Sequence, residues 1–317
     1  MAGLVTIFGG SGFVGRHVVQ LLARDGWQIR VAVRKPSKAR FLQPLGNVAQ
    51  ITPVYARIQD APRVAEVVSG ADLVINLTGI LYESYRQSFD GVHARGAETV
   101  AKASAEAGAS AFVHMSALGA DGGSDSDYAR TKGKGEEAVR AAFQSASIVR
   151  PSIIFGPEDS FFNRFAQMAQ FSPFLPLIGG GETKYQPVYV GDVAQAIFKC
   201  ATDSRYAGET YELGGPKIYS FKELLELMLQ QTRRKNRLIS LPFGLAEVIA
   251  RFAELSPVPP LTRDQVKLLR HDNVISPKAK TLADLGISPK TVEAVLPTFM
   301  DQYRIGGRYK SAATKAG

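Results

Sequence analysis

Three side chains in the middle of the sequence have the types and spacing of a proton-transfer group. Tyr128 and Lys132 are four residues apart, which places them on one face of a helix, and Ser116 lies twelve residues before Tyr128. An ammonium beside a phenol favours the phenolate, and a serine hydroxyl can polarise a carbonyl. The trio could therefore exchange a proton with an alcohol or carbonyl group.

A glycine-rich turn near the start of the chain has the spacing of a dinucleotide-binding loop. Gly10, Gly12 and Gly15 fit the pattern G-x-G-x-x-G, and Gly9, Gly12 and Gly15 fit G-x-x-G-x-x-G. Such glycines allow a tight turn, the approach of a pyrophosphate and the packing of a helix on a strand. An ordinary glycine turn is the alternative to the predicted pyrophosphate loop, which is Gly9-Gly10-Ser11-Gly12-Phe13-Val14-Gly15.

The end of the second predicted strand indicates which dinucleotide the loop would serve. Arg34 and Lys35 stand where a pocket for NAD places a carboxylate against the ribose hydroxyls. Two cations there suit the 2′-phosphate of NADP, and Arg34 is the stronger candidate because a guanidinium can grip a phosphate with two hydrogen bonds. We therefore predict NADP(H) rather than NAD(H); an exposed arginine after a strand is the alternative.

A second turn of small residues follows the fourth predicted strand, where the adenosine and ribose of a cofactor are expected. Its residues are Leu77, Thr78, Gly79 and Ile80. An ordinary glycine turn is again the alternative. Ser116 ends the fifth predicted strand at the same crevice, so we predict that Ser116, Tyr128 and Lys132 contact the cofactor, with Lys132 bonded to the nicotinamide ribose.

Strands and helices alternate over the first 150 residues. Apolar runs predict strands at 4–8, 28–33, 48–55, 72–76, 111–115 and 147–150. Helical periodicity predicts helices at 13–23, 62–69, 91–107 and 128–143. This order predicts a parallel sheet of right-handed β-α-β units, which is an α/β doubly wound Rossmann fold.

After Pro151, prolines and a triple glycine break this rhythm, and residues 151–305 are expected to form a smaller C-terminal α/β lobe. Later segments are expected to return to the NADP-binding domain of residues 1–150, and residues 306–317 to be a disordered basic tail. Within the lobe we predict a strand at 211–213 and helices near 160–170, 193–202, 221–231, 243–255 and 262–269.

One of these helices carries a candidate docking face for a headgroup or a partner helix, and core packing is the alternative. The face lies beside Arg251 and the basic residues 233–237. Its apolar residues are Leu241, Phe243, Leu245, Val248, Ile249 and Phe252.

Composition limits the other classes of function. The 317 residues are 45% hydrophobic and include one cysteine, Cys200, which excludes a disulfide framework and a cysteine-built metal site. No metal site is therefore predicted. The net charge of +9 comes mostly from scattered basic residues without a nucleic-acid motif, so a solvated surface, or an acidic protein or lipid-headgroup partner, is favoured over nucleic acid.

These motifs together resemble the short-chain dehydrogenase/reductase superfamily, in its extended or atypical branch, over essentially the whole chain. The resemblance is carried by residues 9–15, Ser116, 128–132, 150–156 and 187–194. Residues 155–165 and 184–190 are more narrowly similar to a family of NADPH-binding accessory subunits of respiratory complex I, the alpha subcomplex subunit 9 family.

The narrower resemblance implies a structural NADPH and no turnover by the chain itself. It implies a subunit that stabilises the junction of the peripheral and membrane arms and contacts other complex I subunits near the quinone channel. The start of the chain, without a presequence, favours a peripheral subunit on the cytoplasmic face of a bacterial inner membrane; the matrix side applies to a processed mitochondrial chain. The implied site residues include those predicted above and, in addition, Pro151 and Ile154.

One segment departs from the pattern of the extended branch. Members commonly have Gly-Asp-apolar-x-Asp after the third strand, whereas this chain has Ala56-Arg57-Ile58-Gln59-Asp60. Arg57 would add a phosphate ligand, and Ile58 would pack against the adenine. The alternative function is a free NADP-dependent reductase or epimerase, in which Ser116, Tyr128 and Lys132 would be catalytic.

Overall fold

The chain passes back and forth between two compact units in the computed structural model, which describes residues 3–307. The first unit takes the chain up to Pro151 together with Val190–Leu213 and Ile275–Ser288. The second takes Ser152–Tyr189, Gly214–Val274 and the chain from Pro289 onward. Most of the predicted basic tail, from residue 308, lies outside the described residues.

The first part of the chain alternates strands with helices as predicted. Its elements are β1 (Leu4–Phe8), α1 (Phe13–Arg24), β2 (Gln28–Val33), β3 (Ile51–Tyr55), α2 (Ala61–Val68), β4 (Leu73–Asn76), α3 (Arg95–Glu106), β5 (Ala111–Met115), α4 (Asp127–Ala142) and β6 (Ser147–Pro151). A 3-10 helix, Pro36–Leu45, precedes β3, and a single π-helical turn, Asp90–Ala94, leads into α3.

The chain beyond Pro151 has shorter strands. Its elements are β7 (Ile154–Phe155), α5 (Phe162–Phe171), β8 (Phe174–Ile178), β9 (Lys184–Tyr185), β10 (Val188–Tyr189), α6 (Val190–Thr202), β11 (Thr210–Leu213), β12 (Tyr219–Ser220), α7 (Phe221–Thr232), β13 (Arg237–Leu241), α8 (Phe243–Ala253), α9 (Arg263–Leu268), α10 (Val292–Val295) and α11 (Pro297–Met300). Short 3-10 turns lie at Gly179–Gly181, Ser204–Tyr206 and Asp301–Tyr303. None of the helices within residues 3–307 is long and apolar enough to cross a membrane.

Seven parallel strands form the sheet of the first unit, in the order β11-β6-β5-β4-β1-β2-β3. This confirms the predicted doubly wound fold. The strand predicted at 211–213 within the lobe is instead the seventh strand of this sheet, because α6 returns the chain to it. The strand order reverses at β1, which pairs with β2 on one side and β4 on the other, and ligands bind at such a switch point.

The buried strands and the helices that cover them fix the ends of β1 and β4. Val5 and Ile7 of β1 are fully buried, as expected for a parallel strand covered on both faces. Side chains of α2, α3 and α4 form one apolar cluster with the strands, among them Val64, Val100 and Val139. The glycine loop and the Leu77–Ile80 turn, which follow these strands, therefore start from rigid positions.

The second unit has an aromatic core and a smaller apolar cluster. Phe161, Phe165 and Phe221 contact one another through their rings within the larger core. β8 and β13 form a parallel pair that the sequence did not predict, since Pro173 and Pro176 indicated a break. Pro176 is tolerated because β8 has a strand on only one side.

One further sequence expectation needs correction, and one alternative that the sequence left open is decided in part. Residues 48–50 were expected to begin the third strand, but they form a turn in which Ala49 has a φ of 63°. The candidate docking face is not core as a whole. Leu241 and Phe243 are half-buried against the small cluster, whereas the other four residues, Leu245, Val248, Ile249 and Phe252, are exposed.

Candidate functional site

The glycines of the loop after β1 have different surroundings. Gly9 has a φ of +80°, and a Cβ there would lie 3.0 Å from the carbonyl of Leu77. A Cβ on Gly15 would lie 2.3 Å from the oxygen of Gly9 and 2.6 Å from the Cα of Gly10, so only glycine lets α1 pack on the turn. Gly12 is exposed, and a Cβ there would meet only the Gly9 oxygen at 3.2 Å. Gly12 is therefore the position that faces open space.

The start of α1 is suited to an anion. Its N-cap is Gly12, with no side-chain cap and no acidic residue in the first turn. The free N–H groups and the helix dipole at such an end attract phosphate. Of the other predicted loop residues, Ser11 and Phe13 are half-buried, and Val14 is buried in the core.

Cations gather where β2 and β3 end. Arg34 and Lys35 follow β2 and Arg57 follows β3, and all three are exposed. The two strands end together, since the N–H of Ala56 donates to the carbonyl of Val33 at 3.0 Å. An Nη1 of Arg34 donates to Oε1 of Gln87 at 2.5 Å, so the guanidinium already holds a polar oxygen. This edge of the sheet suits a phosphate group.

Ile58, the predicted adenine contact, is almost fully buried. It belongs to the apolar cluster of the first unit, and a Cβ on Gly96 would lie 2.9 Å from its Cγ2. α3 therefore covers much of this side chain. Its contact with an adenine ring stays a prediction.

The Leu77–Ile80 turn is held by buried polar side chains that the sequence analysis did not single out. Oδ1 of Asn76 accepts the N–H of Thr78 at 3.1 Å, and Nδ2 of Asn76 lies 3.3 Å from Nδ1 of His114. Nε2 of His93 accepts the N–H of Ile80 at 3.0 Å. Leu77 is buried, Gly79 is exposed, and the turn is thus fixed at both ends.

The hydrogen bonds of His93 define its tautomer. Its Nδ1 lies 3.1 Å from Oγ1 of Thr131, which itself donates to the carbonyl of Asp127 at 2.7 Å. Nδ1 must therefore carry the proton, and Nε2 must be the acceptor for Ile80. His93 joins the turn after β4 to α4, the helix that carries Tyr128 and Lys132.

Lys132 is 2% exposed and projects from α4 to the end of β5. Its Nζ donates to the carbonyl of Met115 at 3.1 Å, next to Ser116 in the chain. A Cβ on Gly79 would lie 3.3 Å from this Nζ, so the ammonium lies beside the turn. Burial lowers the pKa of Lys132 to about 8.

All three residues of the predicted trio lie in the first unit. Ser116 is 3% exposed, and its Oγ has no hydrogen-bond partner in the part of the chain that the structure describes. The half-buried ring of Tyr128 makes edge contacts with the rings of Phe89 and His93, at centroid distances of 5.9 and 5.3 Å. These contacts orient the phenol.

Both histidines behind the site are neutral near pH 7. Burial and the charge of Lys132 lower the pKa of His93 to about 2 and that of His114 to about 3. They are therefore fixed hydrogen-bonding groups. One feature of the sequence indicated this network. His114 lies within the predicted strand 111–115, and a polar ring in a buried strand needs a hydrogen-bond partner.

These features fit a nicotinamide dinucleotide. The open Gly12 position, the uncapped α1 and the exposed arginines suit its phosphates. The unpartnered Ser116 hydroxyl and the buried Lys132 ammonium suit its ribose and nicotinamide end.

The two remaining predicted residues lie in different units. Pro151 ends β6 in the first unit, where its carbonyl accepts the N–H of Leu118 at 3.1 Å. Ile154 lies half-buried in β7 of the second unit, paired with Val188 of β10. Residues 3–307 contain no group of three His, Cys, Asp or Glu side chains that could hold a metal ion, and Cys200 is buried.

Known proteins are similar to this chain in sequence and in fold. Residues 5–214 match the model of the NAD dependent epimerase/dehydratase family. The mitochondrial NADH dehydrogenase [ubiquinone] 1 alpha subcomplex subunit 9 of Arabidopsis thaliana is 38% identical over 97% of this chain and 80% of its own length. A ceramide reductase of Caulobacter vibrioides is 35% identical over 76% of this chain and 74% of its own length.

A solved structure supports the fold alone. It is that of a double mutant of DesIV, a dTDP-glucose 4,6-dehydratase from Streptomyces venezuelae, with NAD and DAU bound. It is 20% identical, superposes with a TM-score of 0.74 and covers 98% of both chains. From its fold and its sequence together, this chain belongs to the family of the alpha subcomplex subunit 9 of NADH dehydrogenase [ubiquinone] 1, within the NAD dependent epimerase/dehydratase family.

Proposed function

We propose that this protein is an accessory subunit of respiratory complex I that holds NADPH as a structural nucleotide and does not turn it over. The observation that carries the proposal is the extent of the match to alpha subcomplex subunit 9. The match covers 97% of this chain and so includes most of the second unit, whereas the family model ends at residue 214. If the sequence similarity reflected nucleotide binding alone, we would expect it to be confined to the residues of the first unit.

In this proposal the chain's own residues bind and enclose the nucleotide. Gly9, Gly12, Gly15 and the start of α1 take the pyrophosphate, and Ser116 with Lys132 takes the nicotinamide end. Bound NADPH can supply a hydride, but here it supplies binding free energy. A ligand that binds only the folded state stabilises it by mass action, about 2.7 kcal/mol at a hundred times the Kd.

The finer assignment to NADPH rests on Arg34 and Arg57, the exposed arginines at the ends of neighbouring strands. Arg34→Glu is expected to weaken NADPH binding by about 10- to 100-fold, because it removes a bidentate phosphate contact and adds a repelling charge. Binding of NADH should change little. Isothermal titration calorimetry with NADPH and with NADH measures the ratio of the two dissociation constants. Arg24→Glu, at another exposed arginine, is the control. Unchanged NADPH affinity would refute the NADP assignment.

We further propose the position of the subunit. It would contact other complex I subunits at the junction of the two arms near the quinone channel, and touch lipid headgroups. In a bacterium it would lie on the cytoplasmic face of the inner membrane, and in a mitochondrion on the matrix side. Comigration of the chain with complex I on a native gel, together with NADP(H) that does not exchange, tests the proposal. A monomeric chain that exchanges its nucleotide freely would overturn it.

A second function, an NADPH-dependent reductase, is favoured by two observations. The relative named ceramide reductase is 35% identical, and the Ser116, Tyr128 and Lys132 trio is present with an unpartnered serine hydroxyl. Bound NADPH would supply the hydride to a carbonyl carbon of a lipid substrate. Ser116 would bond the carbonyl oxygen, Tyr128 would give it a proton to form the alcohol, and Lys132 would keep the phenol acidic.

Tyr128→Phe separates the two functions. In complex I, this variant is expected to leave electron transfer nearly unchanged, because the phenol takes no part in it. A reductase would lose about 100-fold or more in turnover, the scale of one positioned acid. The measurements are NADH:quinone oxidoreductase turnover of the assembled complex and NADPH oxidation by the free chain. Tyr85→Phe, at a fully exposed tyrosine, is the control.

A further inference from the structure

Helix α8 in the second unit presents its small residues to the core and its large apolar residues to the outside. Ala246 and Ala250 are fully buried in a cluster with Ile178 and Val266. The opposite stripe, which we call the α8 stripe, is between 44% and 83% exposed. It consists of Leu245, Val248, Ile249, Phe252 and, just beyond the helix, Leu255.

This arrangement is the reverse of a helix that faces water. Water-facing positions normally carry polar residues, and large apolar residues normally turn inward. The α8 stripe has the spacing i, i+3, i+4, i+7, so its side chains line one continuous face. Val258, in the segment that follows, is also exposed. A contiguous exposed apolar face of this kind marks an interaction surface.

The sequence segment that contains the stripe has a net positive charge. Residues 233–270 contain eight Lys or Arg and three Asp or Glu. Two of those carboxylates are neutralised within the unit, Glu247 by Arg270 at 2.7 Å and Glu254 by Arg263 at 2.9 Å. Arg251 lies on α8, is exposed, and has no ion pair or hydrogen bond among residues 3–307. A partner at this face would therefore meet positive charge.

We propose that the α8 stripe docks the protein on a bilayer surface rich in anionic phospholipid. The stripe would enter the boundary of headgroups and acyl chains, and Arg251 would meet lipid phosphates. A bilayer accepts a row of Leu, Val, Ile and Phe side chains without a shaped groove, whereas a protein partner needs a complementary surface. The proposal extends the headgroup contact proposed above, but it needs neither complex I nor the nucleotide site, because all its residues belong to the second unit.

Tryptophan fluorescence of the full chain tests the insertion. The sequence contains one tryptophan, Trp27, which lies in the first unit. In the double variant Trp27→Phe with Phe252→Trp, the emission should shift to the blue on addition of vesicles of phosphatidylglycerol and phosphatidylcholine. Brominated lipid should quench it. Pure phosphatidylcholine vesicles should give at most a small shift, since the cations then lack anionic partners.

Matched variants test which residues are needed for vesicle binding. Binding is measured by cosedimentation of the full chain with the same vesicles. Ile249→Glu should lower the partition coefficient at least 10-fold. Ile218→Glu, at an isoleucine 49% exposed in the same unit, should leave it unchanged. Arg251→Glu should weaken binding several-fold on anionic vesicles, while Lys278→Glu, at another exposed cation, should not.

Three results would overturn the proposal. They are the absence of vesicle binding, binding that Ile249→Glu does not change, and self-association without vesicles that Ile249→Glu abolishes, which would assign the face to a second copy of the chain. Nucleotide content and thermal unfolding of each variant show whether it is folded. Comigration with complex I is a separate measurement, so its failure would not be confused with failure of vesicle binding.

Discussion

Gly15→Ala is expected to destabilise the nucleotide-free protein by about 3 kcal/mol and to abolish nucleotide binding. In an ordinary helix, alanine for glycine would stabilise by about 1 kcal/mol, so the expected sign is reversed. The reason is the contact at 2.3 Å between the new Cβ and the Gly9 oxygen, which is backbone and cannot rotate away. α1 would have to move off the turn, and its N–H groups would leave the phosphate position. Urea unfolding without nucleotide measures the first effect.

Gly12→Ala is the matched control. Its backbone angles, φ −77° and ψ −179°, suit any residue, and its Cβ would approach only the Gly9 oxygen, at 3.2 Å. The stability without nucleotide should therefore fall by no more than about 1 kcal/mol, the scale of an unfavourable N-cap residue. Binding of NADPH should still fall by about 100-fold, because the methyl group would occupy the space where the pyrophosphate approaches the backbone. Full affinity in Gly12→Ala would mean that the loop does not bind the pyrophosphate.

Sequence-based prediction of the elements was most accurate where the local pattern and the tertiary structure favour the same conformation. The glycine pattern after an apolar run placed β1 and α1 to within a residue, because a buried parallel strand and an amphipathic helix have distinct periods. β8 was missed because proline normally breaks strands, and only the absence of a neighbour on one side makes Pro176 acceptable. That absence is a property of the sheet, which sequence alone does not contain.

The candidate site was predictable only in part, for a related reason. Ser116, Tyr128 and Lys132 follow a spacing that sequence can display. His93 and His114 do not, since their role depends on partners 38 residues away, Thr131 and Asn76. α8 illustrates the same difficulty, because the spacing of its apolar residues is the same for a core face and an exposed face. Only the burial of the alanines shows which face of α8 packs on the core and which is exposed.

Acid is expected to unfold this protein through the two buried histidines. The pKa values of about 2 for His93 and about 3 for His114 lie far below the ordinary value of 6.5. Below pH 6.5 these two histidines therefore bind protons in the unfolded chain but not in the folded chain. The stability is fully present above pH 6.5 and falls as the pH decreases towards 3, by about 1.4 kcal/mol per pH unit for each histidine. Between pH 7 and pH 5 the loss is about 4 kcal/mol.

Two variants test whether the buried histidines cause this loss of stability. His114→Gln keeps a hydrogen-bonding group beside Asn76 but removes one titration, so the loss between pH 7 and pH 5 should fall to about 2 kcal/mol. His271→Gln, at an exposed histidine, should leave the loss unchanged. Urea unfolding at each pH gives these free energies, and equal slopes in His114→Gln and the unmodified chain would contradict the assignment.

The folded protein, by contrast, should keep its nucleotide over this pH range. With a pKa of about 2, His93 stays neutral at pH 5, so its Nε2 still accepts the N–H of Ile80 and the Leu77–Ile80 turn keeps both of its anchors. The loss of stability comes from protons that the unfolded chain binds. The NADPH affinity of the folded protein should therefore not follow the decline in stability between pH 7 and pH 5, and His114→Gln should change the stability alone. A decline in affinity that His93→Gln removed would show that His93 takes up a proton in the folded protein.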